Sequence, residues 1–321
     1  MGEMVQGLGA DGVSPVQAGT DDPAVRSYGG ALSAIREILR EIDQDGTPDV
    51  RPLKAAAHGL ATLAVRDPAA LLGLTMSKDC DGNSLHHSVN VGVLAMALSA
   101  SMGHPLSVVE ETGIAGFLHD VGKCKVDKGI VAKPGKLTDL EYDEMKRHPE
   151  YGAMIILQME GVHSRVADGV LGHHIRFDRG GYPEWARERT FGVMTGIVAV
   201  ADCYDAATTL RAYQPQMQPV QAVEEIRSQG GTSLDQEIVQ SFLELAGRFP
   251  VGSLVRLNSN EIAVVFTPSS DARGAATVKV VRDGAGITLA EPLLKSLALS
   301  GAHIVDLVDP ALQGIDVSVC F

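Results

Sequence analysis

No two of the four cysteines form a CxxC pair: Cys80, Cys124, Cys203 and Cys320 stand far apart in the chain. A thiolate zinc site therefore lacks its ligands, and isolated thiols suit a reduced, cytoplasmic protein. Positive charge is scarce too. The 321 residues carry 27 Lys and Arg against 40 Asp and Glu, a formal net charge of −13. That balance argues against duplex DNA or RNA as a partner, because phosphate contacts need clustered cations. A small anionic ligand stays compatible if metal ions supply the charge. Although 45% of residues are hydrophobic, every apolar run breaks off short of the roughly 18 to 20 residues that span a bilayer, so no membrane helix is expected. The N-terminus, MGEMVQGLGADGVSPV, has neither the basic start nor the continuous apolar stretch of a secretory signal, which again predicts the cytoplasm.

What is present is mostly helical periodicity. Residues 1–28 are rich in Gly, Ala, Asp, Ser and Pro without a repeat, a composition that predicts a flexible tail. An N-terminal helical region is expected over 29–83, with Leu32, Ile35, Ile38, Leu39 and Ile42 on one stripe and Leu53, Ala57, Leu60 and Leu63 on another. Over 84–247 the three-and-four rhythm returns repeatedly and predicts a bundle of about seven helices. Thr138 three residues before Glu141 is a capping-box pattern and starts a helix near Asp139. After Phe249-Pro250, the β-branched runs GSLVRL, EIAVVFT and ATVKVVRDG alternate with turn residues and predict a small β domain over 248–321.

Ten histidines are present, and those at the ends of apolar helices form a pattern. His87 continues the stripe of Val91, Leu94 and Leu98. His119 ends GIAGFLHD beside Asp120, a pair able to hold two adjacent cations with the carboxylate bridging. His148 precedes Pro149 where one helix gives way to the next, His173 and His174 close the helix of Val166 and Val170, and Asp202 ends GIVAVAD with Asp205 one turn on. Imidazoles and carboxylates without thiolates suit a site for two divalent transition-metal ions of Fe or Mn character. His58, His104, His163 and His303 lack such company and are expected to be exposed or locally bonded.

These residues stand in segments that resemble the HD-GYP family, a branch of the HD-domain metal-dependent phosphohydrolases associated with cyclic di-GMP hydrolysis. The segments are HHSVNVGVLAMAL, AGFLHDVGKCKV, KPGKLTDLEYDEMKRHPEYGAMI, LGHHIRFDRGGYP, VAVADCYDAATTLRAY and GGTSLDQEIVQSF, in family order over about 84–247. The resemblance implies a mainly α fold, an HD-GYP-type helical bundle with the small β domain appended. It implies His87, His119, Asp120, His148, His173, His174 and Asp202 as metal ligands, with Asp120 the bridge and catalytic together with Lys123. Lys123 would meet charge developing on the phosphoryl oxygens, or pair with Asp127 at the surface. Tyr182 of the GYP tripeptide would face a substrate base, or anchor its own loop. Arg211 would hold phosphate or guanine, or stand exposed.

Four departures from the family pattern bear on activity. Asn83 replaces a glutamate that helps hold a third metal in some members, which favours two ions. Ile175 stands where a carboxylate is common, Arg179 where glycine is common, and Gln214 where a basic residue is frequent; the first two are expected to alter charge at the cleft mouth. The resemblance implies a cyclic di-GMP phosphodiesterase giving linear pGpG and then GMP. The alternatives are a nucleotide sensor that recruits a signalling protein through the GYP loop or β domain, and a phosphodiesterase for another cyclic dinucleotide.

Overall fold

The computed structural model describes residues 22–76, 84–209, 217–268 and 276–321. Asn83, Arg211 and Gln214, three residues singled out by the sequence, lie outside them, as does Cys80. Helix α1 spans Pro23–Asp43, so its first turns occupy residues assigned above to a tail. Two local features explain the earlier start: the Asp22 side chain accepts from the Ala24 amide, and Pro23 fits the first turn, where no amide proton is needed. Tyr28, Ala31, Ala34, Ile35, Ile38 and Ile42 form the buried stripe. At roughly 1.5–3 kcal/mol per large buried side chain, the three isoleucines alone hold this helix down.

Helix α2, Arg51–Arg66, and a 3-10 stretch, Pro68–Met76, follow. These elements do not form a unit of their own. One apolar cluster runs from Tyr28 through Leu53, Leu60 and Leu71 to Met96, Phe117, Ile197, Phe242 and Val251, joining the N-terminal helices to the bundle. Next come α3 (Ser84–Ser101), α4 (Leu106–Leu118), a 3-10 turn (Val121–Lys125), α5 (Lys128–Val131), α6 (Asp139–Met145), α7 (His148–Gln158), α8 (Ser164–Gly172), α9 (Val193–Thr208), α10 (Pro219–Gln229) and α11 (Gln236–Ala246). This region holds nine α-helices among the described residues instead of about seven, because short α5 and α6 add to the longer ones. The expected capping box at Thr138 and Glu141 opens α6.

The C-terminal segment is a five-stranded antiparallel sheet of order β4-β3-β2-β1-β5, with β1 Leu254–Leu257, β2 Ile262–Thr267, β3 Thr277–Arg282, β4 Thr288–Ser296 and β5 Ile304–Leu307. The short helices α12 (Leu297–Ser300) and α13 (Pro310–Gln313) flank β5. β5 is an edge strand with Val305, Asp306 and Leu307 exposed. Among the described residues no helix is long and apolar enough to cross a membrane.

Candidate dinuclear metal centre

Seven residues from five parts of the chain converge. The way they are aimed repeats a local device. His119, directly after α4, holds its Nδ1 2.8 Å from the Gly116 carbonyl. His148, opening α7, does the same with Met145 at 2.8 Å, and His173, directly after α8, with Val170 at 2.6 Å. A carbonyl can only accept, so each Nδ1 carries a proton, and in a neutral ring Nε2 then presents a lone pair inward. The rule is a histidine three residues beyond a carbonyl at a helix end, which is why these imidazoles were legible as helix-terminal residues.

The Nε2 atoms and two carboxylates then meet. His148 Nε2 lies 3.3 Å from His173 Nε2 and 3.3 Å from Asp120 Oδ1. Asp120 Oδ2 faces the other way, 3.3 Å from His119 Nε2 and 4.0 Å from His87 Nε2. Asp202 Oδ1 stands 3.2 Å from His87 Nε2 and 3.8 Å from His119 Nε2. The His174 ring stacks 4.1 Å from that of His173 and 5.1 Å from that of His148. Three sets of possible donors result, each with its atoms within 4.8 Å of one another: His148, His173 and His174; His87, His119 and Asp120; His119, His173 and Asp202. Asp120 thus turns one oxygen toward each half of the site.

Burial and charge sort the protonation states. Burial lowers the pKa of His148 and His173, the latter well below 6.5, and that of His174 to about 4, so these three are held neutral. Burial alone would favour the neutral acid at Asp120. The charges of His119 and Lys123 outweigh it and hold the carboxyl well below its usual range. Asp202 behaves likewise, its burial overcome by a hydrogen bond from His87 and the charge of His119. His87 is the exception: burial opposes its charged form, but Asp202 and Asp205 win and raise it to about 10. Neutral imidazoles beside ionised carboxylates are the states that metal ions require.

Two atoms test whether cations fit. His119 Nε2 and Asp120 Oδ1 are buried without a hydrogen-bond partner. Leaving a buried donor or acceptor unsatisfied costs about 1–3 kcal/mol, so these two atoms, one in each half of the site, each call for a ligand. The donor set is nitrogen and oxygen only, with no thiolate in any of the three groups, and it fits divalent metal ions.

Gly122 brings the Asp120 turn into place. A Cβ there would sit 2.0 Å from the His148 carbonyl oxygen and 2.4 Å from the Gly152 amide nitrogen. Only glycine lets this turn approach α7 so closely. Lys123 follows, about one third exposed, with its ammonium bonded to Asp120 Oδ2. It does not pair with Asp127, whose carboxylate caps α5.

The GYP loop closes over His174. Gly181 adopts φ +80°, and a Cβ on it would meet the His174 carbonyl oxygen at 2.0 Å. Tyr182 is half-buried, its ring 4.5 Å from that of His174 and 6.1 Å from that of His148. It therefore packs on candidate ligands as well as bordering the site. The departures read differently in place. Arg179 takes φ 66°, the left-handed conformation that explains the family's glycine there. Its guanidinium donates to the carbonyls of Arg187 and Arg189, so it is engaged in bracing a loop. Ile175 bridges Gly181 at the base of that loop.

Of the histidines set aside, His58 and His303 are exposed, His163 caps α8, and His104 bonds Ser99 at 3.1 Å. One residue went unassigned in the sequence: Asp205, whose Oδ2 lies 2.7 Å from His87 Nδ1. The three-residue spacing from Asp202 on α9 was the available signal.

With this geometry described, likeness to known proteins becomes informative. Residues 64–238 match the HD domain family. A protein of Pseudomonas aeruginosa named a cyclic di-GMP phosphodiesterase is 34% identical over 236 residues, 74% of this chain and 57% of that one. A 3'3'-cGAMP-specific phosphodiesterase of Vibrio cholerae is 34% identical over 131 residues, 40% of this chain and 25% of that one. The chain thus spans about half the length of the first relative and a quarter of the second. A solved HDG"Y"P protein from Bdellovibrio bacteriovorus shares the fold with a TM-score of 0.55 at 17% identity, over 70% of this chain and 72% of that one.

Proposed function

Because this chain belongs to the HD-domain family and carries an HD-GYP domain, we propose that it is a metal-dependent phosphodiesterase that opens cyclic di-GMP to linear pGpG and then releases GMP. The observation that carries this reading is the pair of orphaned, buried atoms, His119 Nε2 and Asp120 Oδ1, at the meeting point of imidazoles and carboxylates.

In this proposal His87, His119 and Asp202 would hold one ion and His148, His173 and His174 the other, with Asp120 shared between them. Bound there, two Fe or Mn ions supply Lewis-acid charge to phosphodiester oxygens and lower the pKa of water. The protein's own part is orientation and proton control. The carbonyls of Gly116, Met145 and Val170 hold three imidazoles in one tautomer. Lys123 brings its ammonium to the edge of the Asp120 carboxylate, where it can answer negative charge growing on the phosphoryl group. Tyr182 borders the site with a flat ring on which a base can stack, and Arg211 is proposed as a second substrate contact. The cytoplasm is the compartment of this reading, in keeping with Cys124, Cys203 and Cys320 as free thiols.

A second reading, 3'3'-cGAMP as substrate, is favoured by the likeness to the Vibrio cholerae enzyme. One experiment separates the two. The protein is purified anaerobically, its metals are quantified, and products from cyclic di-GMP and 3'3'-cGAMP are resolved by chromatography. Formation of pGpG at the higher kcat/KM supports the first reading. Preferential opening of 3'3'-cGAMP supports the second, and metal-loaded protein that cleaves neither overturns both.

A further inference from the structure

A buried hydrogen-bonded chain leads away from the site to the first helix. The Asn90 amide nitrogen lies 3.0 Å from Asp205 Oδ1 and 3.4 Å from the Thr75 carbonyl. Both partners are acceptors, so the amide orientation is fixed and its oxygen must face Tyr28. The Tyr28 hydroxyl then donates to that oxygen at 2.7 Å. At the other end, Asp205 Oδ2 takes the Nδ1 proton of His87 at 2.7 Å and the Thr209 hydroxyl at 3.2 Å. His87 Nε2 is thereby aimed at Asp202 and Asp120. Tyr28, Asn90 and Asp205 are 8%, 2% and 1% exposed, so the chain is shielded from bulk water.

We propose that Tyr28 is a positioning residue for the metal centre, acting through Asn90 and Asp205 to fix the His87 imidazole. The inference rests on the metal reading given above. Partners behind a metal-binding imidazole set its ring orientation and basicity, and in a desolvated network each hydrogen bond strengthens the next. Tyr28 lies outside residues 64–238, the part matched to the family. A helix beyond the family core therefore reaches one candidate ligand through Asn90 and Asp205, and its seating on the bundle sets the affinity of the centre.

The alternative is that the Tyr28 hydroxyl merely satisfies a buried amide, in which case its loss lowers stability and leaves metal binding unchanged. The test uses the full chain stripped of metal and titrated anaerobically with Mn2+ against a competing chelator, with the electron paramagnetic resonance of bound Mn2+ recorded. Tyr28→Phe keeps the ring and removes the donor. It is expected to bind Mn2+ about tenfold more weakly, the lower end of the range for partners behind a ligand, and to alter the resonance. Asp205→Asn weakens binding further, and the Tyr28→Phe/Asp205→Asn double variant binds no more weakly than Asp205→Asn alone. Should Tyr28→Phe fail to fold, Asn90→Leu breaks the same chain at similar volume and is expected to give the same loss. Parent-like Mn2+ affinity in a folded Tyr28→Phe, or losses that multiply in the double variant, overturns the relay alone. A parent chain that takes up no Mn2+ overturns the metal reading and the relay with it.

Discussion

The Lys123 ammonium bonds Asp120 Oδ2, the same oxygen that stands 3.3 Å from His119 Nε2 and 4.0 Å from His87 Nε2. One carboxylate oxygen is therefore shared between a side-chain cation and two candidate ligands. Under the proposed function that cation would meet the phosphoryl group without occupying a ligand position.

Lys123→Ala is expected to slow hydrolysis far more than it weakens substrate binding. Losing an electrostatic donor that acts mainly in the transition state costs on the order of 3 kcal/mol, or roughly a hundredfold in kcat. Steady-state kinetics and direct nucleotide binding at matched metal occupancy check this. A variant with parental kcat and much weaker binding would make Lys123 a substrate clamp.

Asp120→Ala is expected to abolish metal retention while the helical fold persists. Its two oxygens face the two halves of the site, and no imidazole can replace the bridge or its negative charge. Elemental analysis after anaerobic purification, with circular dichroism as the fold control, reads the outcome. Unchanged metal content contradicts the bridging role.

The chain is expected to hold two ions, one for each face of the Asp120 carboxylate. Anomalous scattering at the metal edge or elemental analysis decides it. Three ions per chain, or none, would refute this stoichiometry.

Thr138→Ala removes the reciprocal cap of α6 and is expected to cost about 1 kcal/mol in denaturant unfolding. The cap also carries a pH signature. A hydrogen bond from Lys133, followed by those from Thr138, lowers the Glu141 carboxyl from 4.5 to about 2. A depressed folded-state pKa stabilises fully above the unfolded value and is lost as pH falls through the folded one. The stability advantage of the parent over Glu141→Gln should therefore be complete above about pH 5 and vanish as pH falls toward 2. A difference that is flat across this range would remove Glu141 from the cap's energetics.

The sequence by itself determined the features set by local rules. The apolar stripes, the Thr138 cap and the helix-end histidines each depend on neighbours within about a turn, so periodicity and spacing disclosed them. The seven candidate ligands were legible for that reason, as was the run of strands after Pro250. Only the tertiary structure decided how distant segments use one another. It joined α1 to the bundle core, engaged Arg179 in bracing a loop, and set Asp205 behind His87. Tyr28 and Asn90 are 62 residues apart, and Asn90 and Asp205 are 115. No local spacing encodes such a pairing, because it exists only once helices α1, α3 and α9 are packed and water is excluded between them.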